Sequence, residues 1–180
     1  VVHAGACAKI NRSQNTMKFD SNIVRTHFAS PIGSIIVAAT DKALAGAWFE
    51  GQKHLPAFDA WPVQDSHPML VKAVTQLREY FAGQRTQFGL PLDLHGGTAF
   101  QQSVWQALLH IPAGGTTSYS DIGQRIGKPA AVRAVGAAVG RNPVSIVVPC
   151  HRVLGRDGSL TGYAGGLERK SALLQLEGAI

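Results

Sequence analysis

The chain has 180 residues, 45% of them apolar and 16% charged, and a formal net charge of +6. That length carries one large domain or two small ones. The composition excludes a disordered chain, and no apolar run approaches the roughly 18 residues of a bilayer span. A soluble, cytoplasmic protein with no membrane partner is expected. The basic excess is uneven: residues 98–180 hold eight Lys or Arg against four acids, and no acid falls between Arg125 and Arg156. Such a stretch suits a polyanion partner, although an ordinary basic surface reads the same way.

The opening VVHAGACAKINRSQNT lacks the apolar core of a secretory signal. Residues 1–17 are expected to be a disordered extension, with the folded chain beginning near Lys18. Three short β-branched or aromatic runs follow, Ile23–Ala29, Ser34–Thr40 and Leu44–Glu50, broken by Pro31-Ile32-Gly33 and Asp41-Lys42. They predict a small antiparallel sheet. Leu70, Val71, Val74, Leu77, Tyr80 and Phe81 recur at helical spacing, so Met69–Ala82 is predicted to be a helix stopped by Gly83. Phe88–Leu94 is predicted to be extended. His95-Gly96-Gly97 then marks a domain boundary, giving units 18–97 and 98–180.

In the second unit, Thr98-x-x-Gln101 is a capping box for a helix over Ala99–His110. Ser118-x-x-Asp121 caps a second helix, Tyr119–Ile126. Gly127-Lys128-Pro129 is a turn, and Ala130–Val139 is a third helix of Ala, Val and Gly whose one charge is Arg133. This is a helix-turn-helix pattern with basic flanks. Two apolar, strand-like segments, Val144–Val148 and Val153–Leu154, flank Pro149-Cys150-His151-Arg152. Asp157-Gly158 is a hairpin turn signal, and Leu167–Leu176 is a last helix ending at Gly178.

The two cysteines, Cys7 and Cys150, lie far apart, and one is in the tail. A structural disulfide is not expected, and no Cys/His spacing suggests a metal site. Cys150 beside His151 is a candidate nucleophile, because a thiolate needs a nearby base or cation. Its ordinary alternative is a small buried core residue. Glu177 is the best candidate to orient the histidine, as in triads generally.

The run Pro149-Cys150-His151-Arg152-Val153 resembles the active-site signature of the O6-alkylguanine-DNA alkyltransferases (methylated-DNA–protein-cysteine methyltransferases). Ser118-Tyr119, Ala131-Val-Arg133-Ala-Val-Gly136, Arg141-Asn142-Pro143, Gly162-Tyr163-Ala-Gly-Gly166 and Leu173-Leu174-x-x-Glu177-Gly178 extend the likeness in order. It is strong over residues 98–180 and weaker over 18–97. The resemblance implies an α+β protein: a ribonuclease-H-like sheet domain followed by a helix-turn-helix, winged-helix-like domain. It also implies irreversible, single-turnover transfer of an alkyl group from O6-alkylguanine, with O4-alkylthymine as a further substrate class, in double-stranded DNA. The protein is expected to act as a monomer without a cofactor.

By the same resemblance Cys150 accepts the alkyl group, His151 deprotonates it through a water, Glu177 polarises His151, and Asn142 braces the turn. Tyr119 bonds a guanine ring nitrogen, and the backbone carbonyls of Cys150 and Val153 accept from the exocyclic amine. Arg133 intercalates when the base is flipped through the minor groove. Ala130, Ala131, Ala134 and Gly136 let that helix approach closely. Lys128, Arg141 and Ser118 contact the backbone. Tyr163, Ala164, Ser145, Val139 and Val153 wall the pocket. Two positions depart from many relatives. Ala164 stands where a serine is common, and Ser145 stands where some have a second proline. Some relatives bind zinc in the first domain; here only Cys7 and scattered histidines such as His27 are available, so no metal is expected. A cysteine hydrolase, a helix-turn-helix regulator and a non-enzymatic damage-binding protein are the alternatives.

Overall fold

The computed structural model describes residues 17–180. The expected disordered extension and Cys7 lie outside the described residues, apart from Met17. The first unit opens with an antiparallel meander, β1 (Val24–Ser30), β2 (Gly33–Ala39) and β3 (Leu44–Phe49), with Phe28 opposite Ile35 and Ile35 opposite Phe49. The central strand is buried on both faces. Ile35, Val37 and Ala39 point into the main core, while Ile36 and Ala38 meet a second cluster with Trp48 and the rings of Phe19 and Trp61. This alternation follows from the two-residue period of a strand. Helix α1 (Pro68–Phe81) lays Leu70, Ala73, Gln76, Leu77 and Tyr80 against the sheet.

The second unit contains α2 (Ala99–Leu108), α3 (Tyr119–Arg125), α4 (Val132–Gly140) and α5 (Leu167–Leu176). Both predicted capping boxes are present, Thr98 with Gln101 and Ser118 with Asp121. Helix α4 starts two residues later than expected, after Pro129, with Ala131 as its N-cap. Trp105 on α2 is fully buried and donates its indole N–H to the Ala138 carbonyl at 2.9 Å, pinning α2 to α4.

Phe88–Leu94 runs extended along the edge of β3, with one parallel bridge from Leu92 to Leu44. Two expectations need correction. Asp157-Gly158 makes a turn but no hairpin. The two-residue strand before it, β5 (Val153–Leu154), pairs in parallel with β4 (Thr117–Ser118) instead. Val144–Val148, although β-branched, is no regular strand. It folds into consecutive tight turns, with Val147 N–H donating to the Ser145 carbonyl and Cys150 N–H to that of Val148. Ile146 has φ 73°, a conformation that costs a β-branched residue about 1–3 kcal/mol. The surroundings over-determine it: Ile146 is 1% exposed.

The two units share one core. The exposed edge of β3 is covered by the second unit, since Ala47 N–H donates to Pro143 and the Ala47 carbonyl accepts from Ser145, each at 2.9 Å. A sheet edge is thereby satisfied, and the same bonds fix the base of the loop that carries Cys150. Gly96, at the expected boundary, allows close passage of the chain: a Cβ there would fall 2.2 Å from the Lys18 carbonyl. Among the described residues no helix is long and apolar enough to cross a membrane.

Candidate active site

Cys150 begins a single 3-10 turn, Cys150–Arg152, and is 5% exposed. Asn142 holds the preceding loop from inside. Its amide donates to the Val148 carbonyl at 2.7 Å, and its side-chain oxygen accepts from Val144 N–H at 2.9 Å. A buried asparagine thus satisfies backbone groups that a strand would have paired.

His151 is fully buried. Its Nε2 lies 2.8 Å from Glu177 Oε1, while Nδ1 is buried with no hydrogen-bond partner. A carboxylate on Nε2 places the proton there and leaves Nδ1 as the free base. The Glu177 side chain is 2% exposed. Besides His151, its Oε1 accepts from Tyr80 Oη at 2.7 Å and Arg152 Nη2 at 2.7 Å, and its Oε2 from Arg152 Nε at 2.8 Å. The other arm of Arg152 donates to the Ile111 carbonyl.

Burial alone would raise the Glu177 carboxyl. The hydrogen bonds from His151, Arg152 and Tyr80 outweigh it and hold the group at about 2. The Cys150 thiol is pushed up by desolvation, against the Asn142 amide, the Lys170 charge and nearby backbone N–H groups. His151 is pushed down by desolvation, against Glu177 and with Arg152 and Lys170. The resting pair is a neutral thiol and a neutral imidazole, unlike the ion pair of an exposed, activated cysteine.

A cleft of about 380 Å³ opens beside this centre, lined by Tyr119, Gly136, Val139, Tyr163 and Ala164 among others. Burial raises the hydroxyls of both tyrosines, and the charge of an ionised Cys150 raises them further. Tyr119 Oη makes only long bonds, 3.2 and 3.4 Å, to the carbonyls of Thr161 and Gly162. Gly136 faces this cleft rather than the outer surface: a Cβ there would stand 3.8 Å from the Tyr119 ring. Ser145 and Val153 are buried and do not line the cleft. The Cys150 carbonyl accepts from Val153 N–H, and the Val153 carbonyl from Lys170 Nζ at 2.5 Å.

The outer face of α4 presents Val132, Arg133 and Ala134 to solvent, with Ala131 half-buried at its start. Arg133 makes no ion pair among the described residues. Lys128 and Arg141 are exposed at the two ends of the helix. The Ser118 hydroxyl accepts from Asp121 N–H in its cap. Among the described residues no cluster of three or more His, Cys, Asp or Glu could hold a metal ion.

Five participants were not singled out by sequence. Arg152 stood inside the signature without a role. Tyr80 was counted as an apolar helix position. Lys53 and His54 come from the first unit to line the cleft, held there by Lys53 N–H bonding the Ala164 carbonyl at 3.0 Å. A fifth is Lys170, fully buried, whose ammonium also donates to Thr161 at 2.7 Å and Gly162 at 3.3 Å. Its pKa is pushed down to about 8 by burial, against the pull of Cys150. Its signal was available: it lies three and four residues before the core positions Leu173 and Leu174, on the face that must be buried.

The cage around Glu177 predicts acid lability. A carboxyl near 2 in the folded state and 4.5 when free contributes stability that is complete above pH 4.5 and lost as pH falls through 2. The contribution is at most about 3 kcal/mol. Urea unfolding of the native protein and of Glu177→Gln between pH 7 and 3 checks this. The native protein should lose stability more steeply below pH 4.5; parallel curves would show that Glu177 is not the group responsible.

Comparison with known proteins shows the family. Residues 23–94 match the family described as "6-O-methylguanine DNA methyltransferase, ribonuclease-like domain". Residues 99–179 match "6-O-methylguanine DNA methyltransferase, DNA binding domain". The methylated-DNA–protein-cysteine methyltransferase of Mycobacterium leprae is 49% identical over 148 residues, covering 82% of this chain and 88% of its own. That of Haemophilus influenzae is 44% identical over 153 residues, covering 84% of each. The crystal structure of Mycobacterium tuberculosis O6-methylguanine methyltransferase superposes with a TM-score of 0.80 at 46% identity, over 87% of this chain and 93% of that one. The Mycobacterium tuberculosis OGT solved in complex with DNA gives 0.78 at 47% identity, over 85% and 91%. The chain belongs to the family of methylated-DNA–protein-cysteine methyltransferases.

Proposed function

We propose that the protein repairs double-stranded DNA by direct reversal, moving the alkyl group of O6-alkylguanine onto Cys150 once per molecule. The observation that supports this best is a buried thiol next to a histidine with one nitrogen bonded to Glu177 and the other unpartnered. In the reaction the Cys150 S–H proton passes to His151 Nδ1, directly or through one water. The thiolate sulfur bonds the alkyl carbon, and the carbon–O6 bond breaks. Its electron pair stays on the guanine, where the Tyr119 hydroxyl gives up its long bonds to Thr161 and Gly162 for a ring nitrogen and offsets the charge. Glu177 stabilises the imidazolium that forms. The product thioether has no leaving group, so the step is irreversible and the molecule is spent.

The target atom lies inside the duplex, so the base has to leave the stack at a cost of a few kcal/mol. Arg133, exposed and without an ion-pair partner on the outer face of α4, fills the gap. Ala131, Ala134 and the free amides of the first turn of α4 meet the backbone. Lys128, Arg141 and Ser118 supply further phosphate contacts. The flipped base enters between Tyr119, Val139, Tyr163 and Ala164, with Val153 and Ser145 behind them. Units 18–97 and 98–180 act together as a monomer.

Two variants test this. Cys150→Ser should abolish transfer of a labelled methyl group from DNA while duplex affinity stays within about twofold, since the thiol is 5% exposed and meets no phosphate. Residual transfer refutes the assignment of the acceptor. Arg133→Ala should slow repair of duplex at least tenfold, because each 1.4 kcal/mol lost from the extruded state is a factor of ten. Reaction with free O6-methylguanine base should be unchanged; equal losses on both substrates rule out an intercalating role.

A further inference from the structure

We propose that Tyr80, on α1 of the first unit, is a positioning residue for alkyl transfer: its hydroxyl fixes the face that the Glu177 carboxylate presents to His151. This rests on the reading of Cys150 as acceptor and His151 as its base.

Tyr80 occupies a position where packing alone would be served by phenylalanine. It continues the buried stripe of α1, is 2% exposed, and lies 5.3 and 5.5 Å from the ring centres of Phe81 and Phe88. A phenol hydroxyl in such a stripe costs stability unless it finds a partner. Its partner is Glu177, 97 residues further along the chain, at 2.7 Å.

The carboxylate it meets is unevenly loaded. Oε1 accepts from Tyr80, His151 and Arg152, whereas Oε2 accepts from Arg152 alone. Arg152 grips both oxygens and sets the carboxylate plane. Tyr80 approaches Oε1, the oxygen that bonds the imidazole, and has two effects there. It resists rotation that would carry Oε1 away from His151 Nε2, so the proton stays on Nε2 and Nδ1 stays free. It also takes a share of the charge on Oε1 and so restrains the basicity that Glu177 confers on the ring. The charged groups facing that ring are Glu177 and Lys170 from α5 and Arg152 from its own turn, so the balance that Tyr80 trims is between one anion and two cations. Through this bond the ribonuclease-like unit contributes to the reactive centre of the other.

The test is single-turnover methyl transfer from a methylated duplex to the full chain, followed from pH 5 to 9. Its acid limb reports protonation of His151. Tyr80→Phe should slow transfer at neutral pH about tenfold, the size of a lost hydrogen bond to a charged group. It should also move the acid limb to higher pH, because more carboxylate charge then falls on the imidazolium. Affinity for unmodified duplex should stay within twofold. 3-Fluorotyrosine at position 80, a stronger donor of the same shape, should move the limb the opposite way. A merely structural Tyr80 would lower thermal stability and leave the limb in place for both variants, and that result overturns the proposal. If Tyr80→Phe loses duplex binding, the 3-fluorotyrosine protein alone decides. Failure of the native chain to take up a methyl group would instead refute the alkyl-transfer reading.

Discussion

A single buried carboxylate holds the reactive end of the molecule together. Glu177, at the end of α5, gathers three donor residues from two distant places: Tyr80 on α1, and His151 and Arg152 in the turn that starts at Cys150. A buried anion is costly, and this one is tolerated because every approach to it is a hydrogen bond, two of them from a guanidinium. Removing a single partner would therefore disturb both folding and chemistry. The final helix, the helix of the first unit and the cysteine turn are registered against one another by this group rather than by apolar packing alone.

Around that anchor the chain keeps its thiol quiet. Desolvation dominates at both Cys150 and His151 and pushes each toward its neutral form. An exposed thiolate would react with any electrophile, and under the proposed single-turnover mechanism such a reaction could not be undone. In the proposed mechanism the proton moves only when an alkylated base closes the cleft. The loop that presents the thiol carries backbone strain at Ile146 and is laced from within by Asn142. Lys170 ties the Val153, Thr161 and Gly162 carbonyls together on the other side. The thiol thus sits in a frame that has little freedom to relax, as preorganised sites require.

Much of this was legible from sequence, for identifiable reasons. The three strands, α1 and the capped helices follow from period and cap chemistry, and the structure reproduces them to within two residues. Cys150, His151, Glu177 and Asn142 were singled out together, and the structure places them in one hydrogen-bonded neighbourhood. Val144–Val148 misled because β-branched residues favour a strand, whereas Asn142 supplies side-chain partners that let the backbone turn back. Tyr80 was hidden by its helical spacing, which says that a side chain is buried but not that its polar end has a partner. Lys53 and His54 were hidden by distance: no local pattern tells that a loop of the first unit roofs a cleft of the second.

Helix α4 joins the two tasks of the proposed function. One side, through Gly136, Val139 and Gly140, is cleft wall, and the other carries Arg133 into solvent. Displacing a base and receiving it are therefore separated by the thickness of one helix built from small residues. In the proposed reaction this route ends in one irreversible bond to one sulfur. Intact-protein and peptide mass spectrometry after incubation with excess methylated duplex tests it most directly. One added methyl group per chain is expected, on Cys150, with repair stopping at one equivalent. A second equivalent of repaired DNA per chain, or a methyl group on any other residue in place of Cys150, would contradict it.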